Sequence, residues 1–259
     1  MARLLLAFVL AVQALPGLAE TPEERGLAIA EAVERADSGW GDMKATLEMH
    51  LRNAHGQESR RTLRMQVLEV ADDGDLSQML FDSPRDIAGT AFLSHTHALK
   101  PHDQWLYLPA LKRVKRIASA NKSGPFVGSE FAYEDLSSTE VQKYRYRWLR
   151  EEEFEGAPAH VLEEHPAYPH SGYTRRIVWI DQRMQQPVQV EFYDRRDALL
   201  KTLVFEDYAL YLERYWRPAR MRMQNHQSGK ETLLVWKDYV FRTGLSARDF
   251  DQGRLKRAR

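Results

Sequence analysis

The sequence predicts a mainly β protein built on one large antiparallel sheet that is curved or closed on itself. Apolar and polar residues alternate with a period of two through most of the chain, which is typical of half-buried strands. The runs are joined mostly by short turns containing Gly, Asp or Pro, which favours hairpins over parallel βαβ units. No linker or internal repeat divides the 259 residues, so we expect a single domain.

The N-terminus has the pattern of a cleaved secretory signal. Arg3 precedes an apolar run from Leu4 to Val12, and the small residues Gly17 and Ala19 stand just before Glu20. We therefore predict a signal peptide over 1–19 and a mature domain over 20–259. The apolar run is too short to span a bilayer, and no later run approaches the required length.

Composition excludes several classes of function. The 37 basic side chains balance 37 acidic ones, so the chain lacks the overall positive field that supports nucleic-acid binding. The sequence contains no cysteine, which removes disulfides, thiolate nucleophiles, zinc–cysteine sites and a lipidated cysteine anchor. We predict no nucleic-acid partner and an exported chain without an acyl anchor.

The mature chain is predicted to open with one helix. Thr21 is a suitable N-cap, Pro22 suits the first helical position, and Glu24 completes a capping box. An apolar stripe follows, formed by Leu27, Ile29, Ala30 and Val33. The helix should end near Ser38 and Gly39 and needs a surface on which to lie.

The first two predicted strands form a hairpin. Residues 44–52 and 60–67 alternate clearly, and Gly56 lies in the short connection between them. Similar runs predict strands at about 76–81, 90–98, 104–108, 111–117, 143–154, 159–164, 175–181, 188–193, 199–206, 215–226 and 231–241.

Two segments interrupt this strand pattern. Residues 83–89 read as a turn. Residues 118–141 form a long insertion whose second half can make a short helix starting near Ser129. Long irregular insertions in compact domains are often lids or binding loops. Ser246 is a weak cap for a short basic helix at the C-terminus.

The candidates for chemistry are sparse. His95 and His97 would share one strand face, with His102 nearby, but no recognisable motif supplies a third metal ligand. The alternative is that both histidines simply occupy the polar face of the strand. The sequence has no Gly-x-Ser-x-Gly elbow and no glycine-rich phosphate loop. We predict no enzyme, no cofactor and no metal.

The segment 103–117 is unusual in composition. Trp105 and Tyr107 share a strand face, and a turn then leads into four basic residues: Lys112, Arg113, Lys115 and Arg116. One interpretation is a surface that meets anionic headgroups or an acidic partner. The alternative is an exposed hairpin whose charges are merely solvated.

Several longer motifs resemble a known family. They are 39–43 (GWGDM), 81–86 (FDSPRD) with 89–91 (GTA), 103–117, 126–136 (FVGSEFAYEDL) and 249–250 (DF). Together they are similar to the "outer membrane lipoprotein-sorting protein" family, the LolA-like proteins of Gram-negative envelopes. The resemblance extends over essentially the whole mature chain.

The resemblance implies an unclosed β-barrel whose concave apolar face is covered by helices and loops. It also implies a periplasmic carrier that binds lipid or lipoprotein acyl chains in that hollow and works with an RND- or MMPL-type transporter. The predicted cavity residues are Leu47, Met49, Leu51, Leu63, Met65, Val67, Trp105 and Tyr107. The predicted lid and docking residues are Lys112, Arg113, Lys115, Arg116, Phe126, Phe131, Tyr133, Glu134 and Asp135.

Three alternatives stay open at this point. An RseB-type sensor would use the same hollow to detect lipid. An envelope assembly protein would have a filled core and bind partners through its sheet edges. An enzyme would require His95, His97 or Glu134 to converge in a pocket.

Overall fold

A computed structural model describes residues 20–71 and 73–257; the predicted signal peptide 1–19, Asp72 and residues 258–259 lie outside the described residues. Helix α1 spans Pro22–Ala36. The strands are β1 (Asp42–Arg52), β2 (Glu58–Leu68), β3 (Leu76–Ser83), β4 (Ala91–His95), β5 (Asp103–Leu108), β6 (Arg113–Arg116), β7 (Tyr144–Phe154), β8 (Ala157–Pro166), β9 (Tyr173–Asp181), β10 (Gln186–Asp194), β11 (Leu199–Tyr211), β12 (Tyr215–Asn225) and β13 (Glu231–Phe241). Short 3-10 helices span Pro109–Leu111, Ser119–Asn121, Phe126–Gly128, Tyr133–Leu136, Val141–Lys143, Ala247–Phe250 and Gln252–Arg257.

The thirteen strands form one antiparallel sheet with the order β6-β5-β4-β3-β2-β1-β13-β12-β11-β10-β9-β8-β7. The first and last strands pair in its middle, with Leu47 opposite Trp236. The two edges are β6 and β7, which follow each other in the chain but do not pair. The predicted mainly β, antiparallel and unclosed architecture is confirmed.

The sheet is strongly curved. Thirteen flat strands would extend over about 60 Å, given a strand spacing near 4.8 Å. Nevertheless Leu106 on β5 and Leu162 on β8, near opposite edges, belong to one buried apolar cluster. The sheet must therefore wrap around a shared interior, and its concave face carries the main core.

Helix α1 begins as its sequence predicts. The Thr21 hydroxyl accepts a hydrogen bond from the Glu24 amide at 3.1 Å, and the Glu24 carboxylate accepts one from the Thr21 amide at 2.8 Å. The helix lies against β7, where a Cβ on Gly26 would come within 2.8 Å of the Trp148 backbone nitrogen. Glycine is required here by close approach. No helix among residues 20–71 and 73–257 is long and apolar enough to cross a bilayer.

Residues 117–143, which we call the crossing segment, connect the two edge strands. Phe126 and Phe131 within it are buried in the main core, so the segment passes beneath the concave face. The helix expected near Ser129 is limited to a short 3-10 helix over Tyr133–Leu136. The predicted C-terminal helix is likewise two short 3-10 helices, whose Phe250 and Leu255 pack on the opposite, convex face.

Candidate functional site

A cavity of about 1100 Å³ lies between the concave face, helix α1 and the end of the crossing segment. Its apolar wall comes mainly from alternate residues of β9 to β13, which point inward because side chains alternate between the faces of a strand. These residues are Val178, Ile180, Val190, Phe192, Leu203, Phe205, Met221, Leu234 and Trp236. None of these nine residues is among the cavity residues predicted from the sequence.

The predicted cavity residues are distributed over three places. Met65 and Val67 line the cavity. Four others, Leu47, Met49, Leu51 and Leu63, pack in or against the main core beneath the crossing segment. The placement of Trp105 and Tyr107 was wrong, because both lie on the convex face, packed against the cluster that contains Phe250 and Leu255. The neighbouring Leu106 points inward instead.

The first part of the crossing segment fills one half of the concave face. The Phe126 ring lies 5.9 Å from that of Phe81 on β3 and 5.2 Å from that of Phe92 on β4. Tyr133 packs edge-on against Phe126 at 5.6 Å. Because these rings occupy the space above β3 and β4, the open volume is confined to the other half.

Glu134 fixes the crossing segment to the connection between β8 and β9. Its carboxylate accepts hydrogen bonds from the Tyr168 hydroxyl at 3.1 Å, the Ser171 hydroxyl at 2.9 Å and the Gly172 amide at 2.8 Å. Burial, followed by the neighbouring Asp135 carboxylate, raises the pKa of Glu134. A side chain with this many fixed partners anchors the segment.

Asp135 anchors the same segment to the sheet through a buried ion pair. Its Oδ2 lies 2.7 Å from Lys201 Nζ on β11, with the two side chains only 5% and 4% exposed. Tyr173 donates from its hydroxyl to Asp135 Oδ1 at 2.8 Å, and Lys201 also donates to the Glu130 carbonyl at 2.9 Å. Phe126 to Asp135, predicted as a lid, is therefore held at both ends. Only the following residues, 136–142, border the open cavity along their whole length.

The four predicted docking residues are exposed around and along β6, one edge of the sheet. Lys112 occupies the turn before the strand, with a φ of 48°, and Arg113, Lys115 and Arg116 are exposed on β6. Arg116 pairs with Asp103 on β5. Charged side chains on an edge strand also hinder unwanted strand pairing.

The histidines have separate partners. His95 Nε2 lies 2.9 Å from the Phe250 carbonyl on the convex face, whereas His97 Nδ1 lies 2.9 Å from Asp73 Oδ2. The Glu134 carboxylate accepts its hydrogen bonds from Tyr168, Ser171 and Gly172 and from neither histidine. In residues 20–71 and 73–257, no three His, Cys, Asp or Glu side chains are grouped so that they could hold a metal ion.

One end of the cavity is acidic. Its carboxylates come from the end of α1, the chain after β2, the chain before β3 and the end of the crossing segment, and they are Glu34, Asp37, Glu69, Asp73, Asp75 and Glu140. Arg217 Nη1 pairs with Asp37 at 2.5 Å, and the amides of Gly39 and Gly41 donate to Glu69 at 2.6 and 2.8 Å. None of these six carboxylates is among the site residues predicted from the sequence.

Three of these carboxylates have raised pKa values, and for Asp37 the cause is burial, which the charge of Arg217 opposes. Burial, together with the nearby Glu140, Glu69 and Asp37 carboxylates, raises the pKa of Asp75 to about 7. Burial also raises the pKa of Glu140, which accepts a hydrogen bond from the Ser138 hydroxyl at 2.6 Å. Close carboxylates in a partly dry site repel one another and favour protonation.

This fold and cavity can be compared with known proteins. A crystal structure from Vibrio parahaemolyticus, described as an outer membrane lipoprotein-sorting protein domain, is 55% identical, with a TM-score of 0.89 over 90% of this chain and 99% of that one. The chain belongs to the family of outer membrane lipoprotein-sorting proteins. A family model described as "Uncharacterized protein" matches residues 73–257 of this family member.

Two structures of lower sequence identity have a similar fold. A DUF1329 family protein from Desulfovibrio piger is 25% identical, with a TM-score of 0.85, and the alignment covers 91% of the family member and 99% of that chain. A LolA superfamily protein from Nitrosomonas europaea is 22% identical, with a TM-score of 0.70 and coverage of 88% and 98%, which shows the shared fold. No curated protein matches the chain.

Proposed function

We propose that this protein is a periplasmic carrier that binds lipid or lipoprotein acyl chains in its cavity and transfers them between envelope membranes. The mature carrier would be the single domain 20–259, exported by the signal peptide 1–19. The observation that carries the proposal is the cavity of about 1100 Å³ with an apolar wall built from β9 to β13. It favours a carrier over an assembly protein with a filled core.

The lining suits flexible apolar chains. Burying one methylene group contributes about 0.8 kcal/mol, so a chain of a dozen carbons gains ample free energy to offset its loss of freedom. Met65 and Met221 line the cavity, and methionine thioethers adapt to ligands of different shape. No cofactor enters the proposed cycle.

The anchored residues 126–135 cannot serve as the moving lid without breaking the Asp135–Lys201 pair. We place the opening at residues 136–142, which border the cavity together with helix α1. The Gln104 amide donates to the Ser137 hydroxyl at 3.2 Å, and the Val141 amide reaches Glu34 at 3.5 Å. These contacts are longer than those that anchor Asp135 and are easier to open.

Filling the cavity tests the proposal. Val178 and Val190 are cross-strand partners on β9 and β10, and both line the cavity. The double variant Val178→Trp/Val190→Trp should weaken binding of N-phenyl-1-naphthylamine, a neutral apolar dye, by about tenfold or more, because the indoles occupy the ligand volume. Fluorescence titration measures the affinity.

The matched control is Val240→Trp, at a valine that is 54% exposed. It should bind the dye as the parent protein does. Unfolding by urea must show that the double variant keeps its fold. Dye binding that is equal in the parent, the double variant and the control would contradict binding in this cavity.

Transfer also requires a partner that donates or accepts the lipid. We propose an inner-membrane RND- or MMPL-type transporter that docks on the basic edge, the exposed surface formed by Lys112, Arg113, Lys115 and Arg116. Lys112→Glu/Arg113→Glu should weaken retention by the inner-membrane fraction of the native host severalfold without lowering thermal stability, because both side chains are exposed. Co-sedimentation with those membranes measures the effect.

The control is Arg195→Glu/Arg196→Glu, an exposed basic pair in the turn between β10 and β11. It changes net charge equally at another site. If both double variants are retained equally, or if Lys112→Glu/Arg113→Glu is retained like the parent, the basic edge is not the docking surface.

A further inference from the structure

The polar end of the cavity has a definite chemical character. Asp75 and Glu140 line it, and within the described chain no Lys or Arg nitrogen pairs with either carboxylate within 4 Å. Lys143, the nearest ammonium to Glu140 in sequence, donates to the Lys100 carbonyl at 2.6 Å. Lys143 acts on Glu140 only through its charge, so neither carboxylate on the cavity wall has an ion-pair partner in the described chain.

Ser77 supplies an independent observation. It lies on β3 two residues after Asp75, on the same inward face as Met79, and lines the cavity. The residue is only 5% exposed, yet its hydroxyl oxygen has no hydrogen-bond partner. A buried polar group without a partner costs free energy, which a ligand that donates a hydrogen bond would recover.

Ser138 links the two residues that carry these carboxylates. Its hydroxyl donates to Glu140 Oε1 at 2.6 Å and accepts from the Asp75 amide at 3.3 Å. The end of the crossing segment is thereby held beside the start of β3. Two carboxylates and the unpartnered Ser77 hydroxyl consequently border the same end of the cavity, and all three are able to accept hydrogen bonds from a ligand.

We propose that this end of the cavity binds the protonated primary amine of an amine-bearing lipid, whose acyl chain occupies the apolar part. An ammonium group has three donors and no acceptor, which matches the acceptors Asp75, Glu140 and Ser77. A carboxylate or phosphate at this end would be repelled. A metal ion fits poorly, since no three His, Cys, Asp or Glu side chains of the described residues are placed so that they could hold one.

This inference rests on the proposed carrier function and specifies its ligand. The test compares dodecylamine, dodecanol and dodecanoate as competitors that displace N-phenyl-1-naphthylamine from the parent protein at neutral pH and physiological salt. All three have the same chain, so differences report the polar end. Dodecylamine should displace the dye at a concentration about tenfold or more below that of dodecanol, and dodecanoate should be the weakest.

Variants assign the preference to this site. Asp75→Asn/Glu140→Gln should remove most of the advantage of the amine while leaving displacement by dodecanol unchanged. Ser77→Ala should remove a smaller part. Asp238→Asn, at an exposed aspartate on β13, is the matched control and should behave as the parent.

The outcomes separate the two proposals. If the dye binds but the amine and the alcohol displace it equally, the amine site is overturned and the carrier stands. The same conclusion holds if the preference persists in Asp75→Asn/Glu140→Gln, because the amine then binds elsewhere. If the dye does not bind at all, both proposals fall.

Discussion

Asp135→Asn should lower the free energy of unfolding by about 3–5 kcal/mol, the range found when one partner of a buried ion pair is removed. The substitution leaves the Lys201 ammonium without its carboxylate at a site where the side chain is 4% exposed. It also weakens the acceptor of the Tyr173 hydroxyl. Urea denaturation followed by tryptophan fluorescence measures the change.

The matched control for Asp135→Asn is Asp82→Asn. Asp82 pairs with Arg64 on the surface, where the two side chains are 39% and 51% exposed, and such pairs contribute about 0–1 kcal/mol. The double variant Asp135→Leu/Lys201→Met should recover part of the loss, since it leaves no unpaired charge. An Asp135→Asn variant as stable as Asp82→Asn would contradict the role of this pair as an anchor.

Asp75→Asn should have the opposite effect and stabilise the protein at alkaline pH. The pKa of Asp75 is raised to about 7 in the folded protein, against about 3.9 for an ordinary aspartate. The folded state therefore binds this proton more tightly than the unfolded state does. The resulting destabilisation is fully present above the folded pKa and disappears as pH falls towards the unfolded pKa.

The amide is neutral at every pH and escapes this destabilisation. Allowing for partial exposure of the carboxyl, we expect a gain of about 2 kcal/mol at about pH 8 that decreases as the pH is lowered from 7 to 4. Urea denaturation at several pH values measures it, with Asp238→Asn as the control that should show no gain. Asp75→Asn that is neutral or destabilising at about pH 8 would show that Asp75 is not held in a destabilising environment.

Asp135 and Asp75 are expected to affect stability in opposite directions. Asp135 stabilises the fold by holding the crossing segment on the sheet. Asp75 costs stability in the free protein, and residues that do so are often part of a binding site. We therefore expect the Asp135–Lys201 pair to fix the wall of the cavity and Asp75 to be available for contact with a ligand.

The sheet was predictable from the sequence because period-two alternation is a local property. The pattern around Leu47 and Leu63 identified two strands and their hairpin, which pair directly in the structure. Helix α1 was equally predictable, since its cap and first turn depend on residues within a few positions of Thr21.

The faces of β5 could not be assigned in the same way. Alternation shows that Trp105 and Leu106 point to opposite sides, but it does not show which side is concave. That depends on pairing with β4, where Phe92 lies opposite Leu106, and on the C-terminal segment that covers Trp105. The aromatic side chains of Trp105 and Tyr107 were predicted to line a ligand cavity, but they pack in a second core on the convex face.

The cavity itself depends on contacts far apart in the sequence. Phe126 fills the space beside Phe81 and Phe92, so the open half lies along β9 to β13, and nothing local to those strands distinguishes it. The acidic end brings together residues as distant as Asp37 and Glu140. One local signal existed: Ser77 is a polar residue at an inward position of β3, where the next two inward positions are the apolar Met79 and Phe81.

Native mass spectrometry of protein purified from the envelope of its own cells shows whether the cavity holds an acyl-chain ligand. The parent protein should carry a noncovalent lipid, recoverable by extraction, that Val178→Trp/Val190→Trp has lost while remaining folded. A parent protein that is free of lipid, or equal lipid in the parent and the filled-cavity variant, would contradict binding of such a ligand in the cavity.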